Sequence, residues 1–326
     1  MEIDKYEQRA KQKLNEKTLT SRVSALRSLE PFVSGSRPTT EEVEDWAGHM
    51  IEQFDDGEMS SGSISQYFKS VTYYYETMGM DAESIEHIGD WLPKPQSDPG
   101  DYLTQAELEE MRDSIRTLRD RAIIELMYFY GRRPGEIRLL NTEDIVWPQD
   151  TEPDVPSSQY SDEPTVTFTI LKKTDASLSD LVLHNGGGTD ETFRYRKGVY
   201  TYKDEPFEHV LQYLPYREEC EQEITLGGTQ KTVHPLFTTS HGRISQDTIE
   251  RCIDSAAERA GIDKNVTPKS MRHSRATHLY RDGVGKDEIA ARQLAHSPES
   301  DVVGRYLHER EEDTVRDPLE LDSEDE

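Results

Sequence analysis

With 326 residues, the chain is long enough for two domains that each bury a core of their own. Only 33% of the residues are apolar and the formal net charge is −27, which implies a surface dense in carboxylates. The most apolar stretch, residues 122–130, is too short to span a bilayer, no signal-peptide pattern is present, and two cysteines cannot build a disulfide scaffold or a zinc ribbon. We therefore expect a soluble, cytoplasmic protein.

The acidic composition bears on nucleic-acid binding in two opposite ways. Phosphate repels carboxylates, so on charge alone this is an ordinary acidic protein with no role on DNA. In concentrated salt, however, the Debye length falls to roughly 3 Å, and high acidic charge is typical of halophiles. We therefore interpret the acidity as an adaptation to the salty cytoplasm of a halophile, which leaves a DNA-binding role open.

Positive charge is concentrated in two segments. Residues 5–27 contain seven basic residues against two acidic ones, and residues 264–281 contain five basic residues and no acidic one. A phosphate backbone could be accommodated at either segment, although a basic run is as often only a solvated helix face.

The first ninety residues contain three stripes of apolar side chains at helical spacing. These stripes fall at residues 19–29, 43–54 and 64–78. Thr39 or Thr40 is placed to cap the second helix, Gly57 to end it, and Gly79 to end the third. Helices of this kind can bury one another, which predicts a small helical domain.

A polar, proline-rich stretch at residues 92–100 predicts a linker. After it, Thr104 and Glu107 form a capping-box pattern that predicts the start of a helix. Residues 122–130 are apolar nearly all round, which predicts a buried helix that ends at Gly131.

The rest of the chain shows a few strands and then helices. Strands are predicted at residues 144–147, 165–171 and 199–202, with a mobile polar loop at 148–164. From about residue 206 onward the pattern is helical, most clearly at 245–260 and 267–280, and the last residues form an acidic tail.

Three motifs carry the chemistry. The first, Gly131-x-Arg133-x-x-Glu136, stands at the exit of the buried helix, and Glu136 is one turn away from Arg133 and able to orient it. The second runs from Lys269 to His278 and places Lys269 and Arg272 on one helical face. The third contains His296 and, ten residues later, Tyr306.

Two histidines in the second motif have a simpler interpretation. His273 and His278 are five residues apart, so they do not share a helical face, which argues against a zinc pair. We expect both to pack or cap.

In this order, two arginines, a lysine, a histidine and a tyrosine resemble the active site of the tyrosine recombinases, the family of phage integrases and Xer proteins. The resemblance implies a mainly α fold with a small antiparallel β-sheet. It also implies a helical core-binding domain at residues 1–95, a catalytic domain at 100–310 and an acidic tail at 311–326. Double-stranded DNA, bound by a homotetramer on synapsed sites, would be the partner, with no membrane involved.

The family chemistry assigns a role to each residue. Arg133 and Arg272 would clamp the non-bridging oxygens of a DNA phosphodiester, and Lys269 and His296 would donate further hydrogen bonds. Attack by Tyr306 would leave a 3′-phosphotyrosyl bond, and neither a metal nor a nucleotide cofactor would be required. Site-specific cleavage and rejoining would follow.

The sequence does not single out one residue as the general acid. The family uses a lysine on a strand-turn hairpin, and Lys173 at the end of the strand at 165–171 is our choice, with Lys172 and Lys197 as alternatives. We expect alanine at Arg133 or Arg272 to abolish cleavage and to leave the fold intact.

The motifs depart from the family pattern at several positions. Lys269 stands where many relatives have histidine, Ala295 stands where glycine is usual, Gly304 lies close to the tyrosine, and Tyr306 is about one residue further from His296 than the commonest spacing. Because of these departures, one alternative is a DNA-binding protein that derives from a recombinase and no longer cuts DNA. A DNA-relaxing enzyme like the type IB topoisomerases is the other.

Overall fold

The structure, a computed structural model, describes residues 1–14, 16–94, 102–172, 178–185 and 190–294. The chain divides into two compact units, Met1–Asp98 and Pro99–Glu326. Five of the residues singled out above lie outside the described residues, as does the acidic tail: Lys173, Ala295, His296, Gly304 and Tyr306.

The first unit is helical throughout its described part. Its helices are α1 (Ile3–Ala10), α2 (Glu16–Leu29), α3 (Thr40–Asp55), α4 (Ser61–Met78) and α5 (Ile88–Trp91). They bury one apolar core, in which Tyr6, Trp46 and Tyr74 are fully inaccessible to solvent. Burial of large aromatic side chains is the main favourable term for a unit of this size.

Local signals fix the ends of these helices. The Thr39 hydroxyl accepts a hydrogen bond from the backbone N–H of Glu42, and the Glu42 carboxylate accepts one from the N–H of Thr39, so α3 begins with a capping box. Gly79 ends α4 in the left-handed conformation, with φ +69°. Both ends confirm the sequence prediction.

The second unit combines helices with a sheet. Its helices are α6 (Gln105–Ser114), α7 (Leu118–Tyr130), α8 (Pro134–Arg138), α9 (Asp204–Tyr213), α10 (Gln246–Arg259), α11 (Pro268–Arg281) and α12 (Lys286–Glu288). The capping box of Thr104 and Glu107 is present at the start of α6. Helix α7 is buried over most of its length and ends at Gly131 with φ +57°, as predicted.

The described residues of this unit form a seven-stranded sheet. Its strands are β1 (Ile145–Pro148), β2 (Gln159–Ser161), β3 (Thr165–Leu171), β4 (Ser179–Leu183), β5 (Glu191–Thr201), β6 (Gln222–Leu226) and β7 (Thr229–Val233). Their order is β2-β1-β3-β5-β4-β6-β7, and a separate small pair joins β8 (Thr238–Thr239) to β9 (Gly242–Arg243).

The expected small antiparallel sheet is corrected in two respects: the sheet is larger, and it is mixed. Strand β2 runs parallel to β1, while the other neighbours are antiparallel. Strand β2 lies inside the segment expected to be a mobile loop, residues 148–164. Its three residues are mostly exposed, so no apolar alternation marks it in the sequence.

A hairpin was also missed, because residues after 206 were expected to be helical. Strands β6 and β7 pair from Gln222–Val233 to Leu226–Thr229, and the two residues between them, Gly227 and Gly228, both have positive φ. Two glycines flanked by strands are the usual signal of a tight hairpin. Most side chains of β7 are polar and exposed, so the alternation that predicts a strand is absent.

The two faces of the sheet pack against two different apolar clusters. Val166, Phe168 and Ile170 on β3 are fully buried in the core that also contains the apolar residues of α7. Leu171 and its partner across the ladder, Tyr195, belong to a second, smaller apolar cluster on the other face. Side chains that alternate along β3 therefore serve two cores.

No helix within the described ranges combines the length and apolar character needed to cross a bilayer.

Candidate active site

Arg133 stands where α7 has ended and α8 begins. Gly131 turns the chain in the left-handed conformation, and Arg133 is the N-cap residue of α8, with Pro134 at the first helical position. Its guanidinium Nη1 donates to Glu136 Oε1 at 3.0 Å and to the carbonyl of Leu171 at 3.4 Å. The side chain remains 41% exposed, so it is held in place while its other donors are open to solvent.

Glu136 is the buried support of this arginine. Its side chain is 1% exposed, and its two oxygens accept from the Arg133 side chain, from the Arg133 backbone N–H at 3.1 Å and from the Leu171 N–H at 3.3 Å. A buried carboxylate is stable only when it is paired and hydrogen-bonded. Glu136 therefore joins the start of α8 to the end of β3, as its one-turn spacing from Arg133 suggested.

Arg272 lies on α11. It is 6% exposed, and its Nη1 and Nη2 donate to the carbonyls of Gly131 and Leu294. The second arginine thus binds the turn from which the first projects. Leu294 is the last described residue, and His296 is two residues further along the sequence.

The two arginines line one cleft of about 550 Å³. Its lining combines the start of α8, the end of β3, the first turns of α10 and the first turns of α11: Arg133, Pro134, Gly135, Leu171, Gln246, Glu250, Thr267, Pro268, Lys269, Arg272 and His273. Three cations, Arg133, Lys269 and Arg272, therefore face one space. Such a cluster fits an oxyanion.

Sequence reasoning missed part of this lining. Gln246 and Glu250 reach the cleft from α10, and the Gln246 amide donates to the Glu250 carboxylate at 2.8 Å. Gly135 allows α8 to pack closely against the end of β3, because a Cβ there would lie 3.0 Å from Cδ1 of Leu171. The spacing of α10 residues gave no signal for these positions, since the cleft exists only when α8, α10 and α11 meet.

The two histidines of α11 differ in their surroundings. His278 is buried, shares a 2.7 Å hydrogen bond with the Tyr128 hydroxyl, and packs as expected. His273 lines the cleft instead. Burial, followed by the charges of Lys269 and Arg272, lowers the pKa of His273 to about 4.

Two of the three lysines considered as the general acid, Lys172 and Lys197, lie within the described residues. Lys197 binds Asp144 and Thr169, each at 3.1 Å, so its ammonium group is held by the face of the sheet that carries Thr169. Lys172 follows Leu171 at the end of β3, and burial together with the charges of Arg196 and Arg133 lowers the pKa of its ammonium group. Lys172 therefore lies in the field of the arginines.

The acid-free segment 264–281 serves several purposes. Lys269 and Arg272 line the cleft. Lys264 forms an ion pair with Glu107 at 2.8 Å, Arg275 lies over the rings of Tyr128 and Phe129, and Arg281 donates to the Tyr102 hydroxyl. Only part of this basic run therefore lines the cleft.

Comparison with known proteins decides the family. The model of the phage integrase family matches residues 101–313, well over half of the chain. The chain belongs to the phage integrase family. Curated relatives of this integrase-family chain are tyrosine recombinases. XerC of Neisseria gonorrhoeae is 31% identical over 178 residues, which cover 54% of this chain and 43% of the relative.

Two XerD proteins match the chain over different lengths. XerD of Mycobacterium tuberculosis H37Rv is 26% identical over 171 residues, covering 52% of this chain and 42% of the relative. XerD of Staphylococcus epidermidis RP62A is 22% identical over 285 residues, covering 81% and 80%. The integrase-family chain thus matches less than half the length of the first two relatives.

Solved structures support an integrase-like fold with helices and a mixed sheet. A Tn1549 transposon integrase in complex with circular intermediate DNA has a TM-score of 0.64 at 17% identity, covering 94% of both chains. A lambda integrase dimer bound to a core site has a TM-score of 0.62 at 15% identity, covering 94% of this chain and 76% of that one.

Proposed function

We propose that this protein is a site-specific DNA recombinase or integrase that cleaves and rejoins DNA through a 3′-phosphotyrosyl intermediate, with Tyr306 as the nucleophile. The observation that carries the proposal is the convergence of Arg133 and Arg272 on one cleft, where the second arginine binds the turn that presents the first. Membership of the phage integrase family supports it.

The cleft suits the charge that develops during phosphoryl transfer. As the tyrosine oxygen attacks phosphorus and the bond to the 5′-oxygen breaks, negative charge accumulates on the non-bridging oxygens. Arg133 and Arg272 would bind those oxygens, Lys269 and His296 would add hydrogen bonds, and the leaving 5′-oxygen would take a proton from a lysine. The reverse reaction with a new 5′-hydroxyl would return the tyrosine.

Lys172 and Lys173 both remain candidates for the lysine that supplies this proton. Lys173 was the choice from the sequence, and it lies outside the described residues. Lys172 has a lowered pKa beside Arg133, and a lysine whose pKa is closer to neutrality transfers a proton more readily. The ion pair of Lys197 with Asp144 makes it the weakest of the three candidates.

We assign domains on the same basis. Residues 100–310 would be the catalytic domain, residues 1–95 a core-binding domain on DNA, and residues 311–326 an acidic tail. The family match at 101–313 supports the first assignment, and the helical first unit, with its basic segment at 5–27, supports the second.

Double-stranded DNA would be the partner, with a homotetramer on synapsed sites. A lambda integrase tetramer bound to a Holliday junction, similar to this chain with a TM-score of 0.58 at 16% identity, supports the assembly by analogy of fold. We further propose a cytoplasmic location. We also propose a salt-adapted surface, which the net charge of −27 supports.

Covalent trapping tests the proposal. A nicked suicide substrate made from DNA flanking the gene is incubated with the protein in concentrated KCl, and the products are separated on a denaturing gel. We expect a slow-migrating protein–DNA adduct, absent from the Tyr306→Phe variant because the attacking hydroxyl is missing. The matched control is Tyr216→Phe, which changes an exposed tyrosine outside the cleft.

Two outcomes would contradict it. Binding to a verified site without any adduct would favour a DNA-binding protein that no longer cuts. Lys269, which stands where many relatives have histidine, is the feature that favours this candidate. An adduct with relaxation of supercoiled plasmid, but without recombinant products, would favour a relaxing enzyme.

A further inference from the structure

His273 occupies a place on α11 that puts it beside the cations of the cleft. It follows Lys269 by four residues and Arg272 by one, and residues four apart on a helix share a face. His273, Lys269 and Arg272 all line the cleft, together with Arg133 from α8. His273 is therefore part of the wall of the cleft.

Its neighbour His278 shows what a packing histidine on the same helix looks like. His278 is 3% exposed, is hydrogen-bonded to the Tyr128 hydroxyl, and has the rings of Tyr128 and Tyr102 at its edges. Of these two histidines, only His273 lines the space shared by the arginines.

The charges around His273 favour a neutral ring. Among the residues that the structure describes, the charged groups that line the cleft are Arg133 on α8, Lys269 and Arg272 on α11, and one carboxylate, Glu250, on α10. Together with burial, Lys269 and Arg272 keep the pKa of His273 at about 4, so the ring is neutral at neutral pH. A neutral imidazole carries one N–H donor and one acceptor nitrogen.

We propose that His273 is a further catalytic residue, whose imidazole N–H donates a hydrogen bond to a non-bridging oxygen of the phosphoryl group held by Arg133 and Arg272. The inference rests on the proposed function of the cleft. A neutral donor stabilises charge on the phosphoryl oxygens without adding a fourth cation, whose repulsion would destabilise the empty cleft.

Nuclear magnetic resonance tests the contact directly. The full chain, with ¹³C-labelled histidine rings, is titrated with inorganic phosphate, and the His273 signal is assigned from a His273→Gln spectrum. An anion next to the ring favours its protonated form, so we expect phosphate to raise the pKa of His273 by about one unit. His278 serves as the internal reference and should not respond. A His273 signal that phosphate leaves unchanged overturns the proposal.

Two substitutions separate a hydrogen-bonding role from a structural one. His273→Leu removes the donor, and we expect adduct formation to slow on the order of 10²-fold. His273→Gln keeps an N–H donor and should recover most of the rate. A purely structural histidine would lower the thermal unfolding temperature in both variants without separating them. Adduct formation by His273→Leu at the wild-type rate would also overturn the proposal.

The two assays tell the failure of this proposal from the failure of the proposed function. A phosphate response at His273 with no adduct on a verified site would keep the contact and reject cleavage. Adduct formation together with a His273 signal that does not respond to phosphate would support the cleavage activity and reject the contact between His273 and the phosphoryl group.

Discussion

Arg133 and Arg272 reach the same cleft but are held in different ways. Arg133 is 41% exposed and is fixed by one buried carboxylate, Glu136. Arg272 is buried and binds two backbone carbonyls, so it also connects α11 to the turn at Gly131 and to Leu294. Arg133 is the more exposed of the two arginines, and Arg272 supports the site as well as lining it.

Alanine substitution should distinguish these roles. Arg133→Ala should abolish adduct formation and lower the free energy of unfolding by only about 1 kcal/mol, because the buried Glu136 carboxylate keeps its hydrogen bonds from the backbone N–H groups of residue 133 and Leu171. Arg272→Ala should abolish it and also destabilise the chain by roughly 2 kcal/mol or more, because two carbonyls lose their donor. Urea unfolding and the trapping assay measure both effects.

This expectation revises the one drawn from the sequence, in which either alanine variant leaves the fold intact. Arg272→Lys is the control, since it keeps a donor in place. Cleavage by Arg133→Ala at the wild-type rate would reject the active-site assignment, and equal stability of the two alanine variants would reject the supporting role of Arg272.

At the scale of elements, the cleft depends on where helices begin. Helix α8 begins at Arg133, α10 begins just after Ser245 and α11 begins just after Thr267, so each presents its first turns to the cleft. The end of β3 completes the wall through Leu171. N-terminal turns expose backbone N–H groups and carry partial positive charge, which suits an anion.

The hydrogen bonds at the start of α3, in the first unit, predict that the stability of this unit depends on pH. The carboxylate of Glu42 accepts hydrogen bonds from the side chain and backbone of Ser34 and from the backbone of Thr39, and these lower its pKa to about 2. A depressed folded-state pKa stabilises the fold in full above the ordinary value of 4.5, and this contribution is lost as the pH falls toward about 2.

We therefore expect Glu42→Gln to reduce the stability difference between neutral and acidic pH in the first unit. Thermal unfolding followed by circular dichroism between pH 6 and pH 2 measures it, with Glu41→Gln on the same helix as the control, since the capping box of Thr39 is formed with Glu42 and not with Glu41. Identical pH dependence in the wild type and Glu42→Gln would contradict the assignment.

At the scale of the whole molecule, charge is the dominant feature. A net charge of −27 opposes both compaction and DNA binding in dilute buffer, while cations are gathered in the cleft. Salt screens the long-range repulsion, but contacts at hydrogen-bond distance inside the cleft are screened much less.

We predict that folding and DNA binding persist in molar KCl. Thermal unfolding in about 0.1 M and about 2 M KCl should give a higher midpoint at the higher concentration, because self-repulsion between carboxylates is screened. Equilibrium binding to a cognate duplex is measured in the same buffers. Unfolding or full release of DNA as KCl is raised would reject the salt-adapted interpretation.

Much of the helical architecture was predictable because it is encoded locally. Thr39, Thr104 and Gly131 each mark a helix end through hydrogen bonds within a few residues, and the structure has those ends where the sequence predicted them. The polar strands β2 and β7 were not predictable, because their stability comes from neighbouring strands and leaves little pattern in their own residues.

The sequence by itself determined the family and named the two arginines, because residue type and order in a motif do not depend on packing. Only the tertiary structure decided that Gln246, Glu250 and His273 share a cleft with them, that Lys197 is held by Asp144, and that Arg272 braces the Gly131 turn. The physical reason is that these contacts join residues distant along the chain, and hydrogen bonds of that kind form only after helices and sheet have packed against each other.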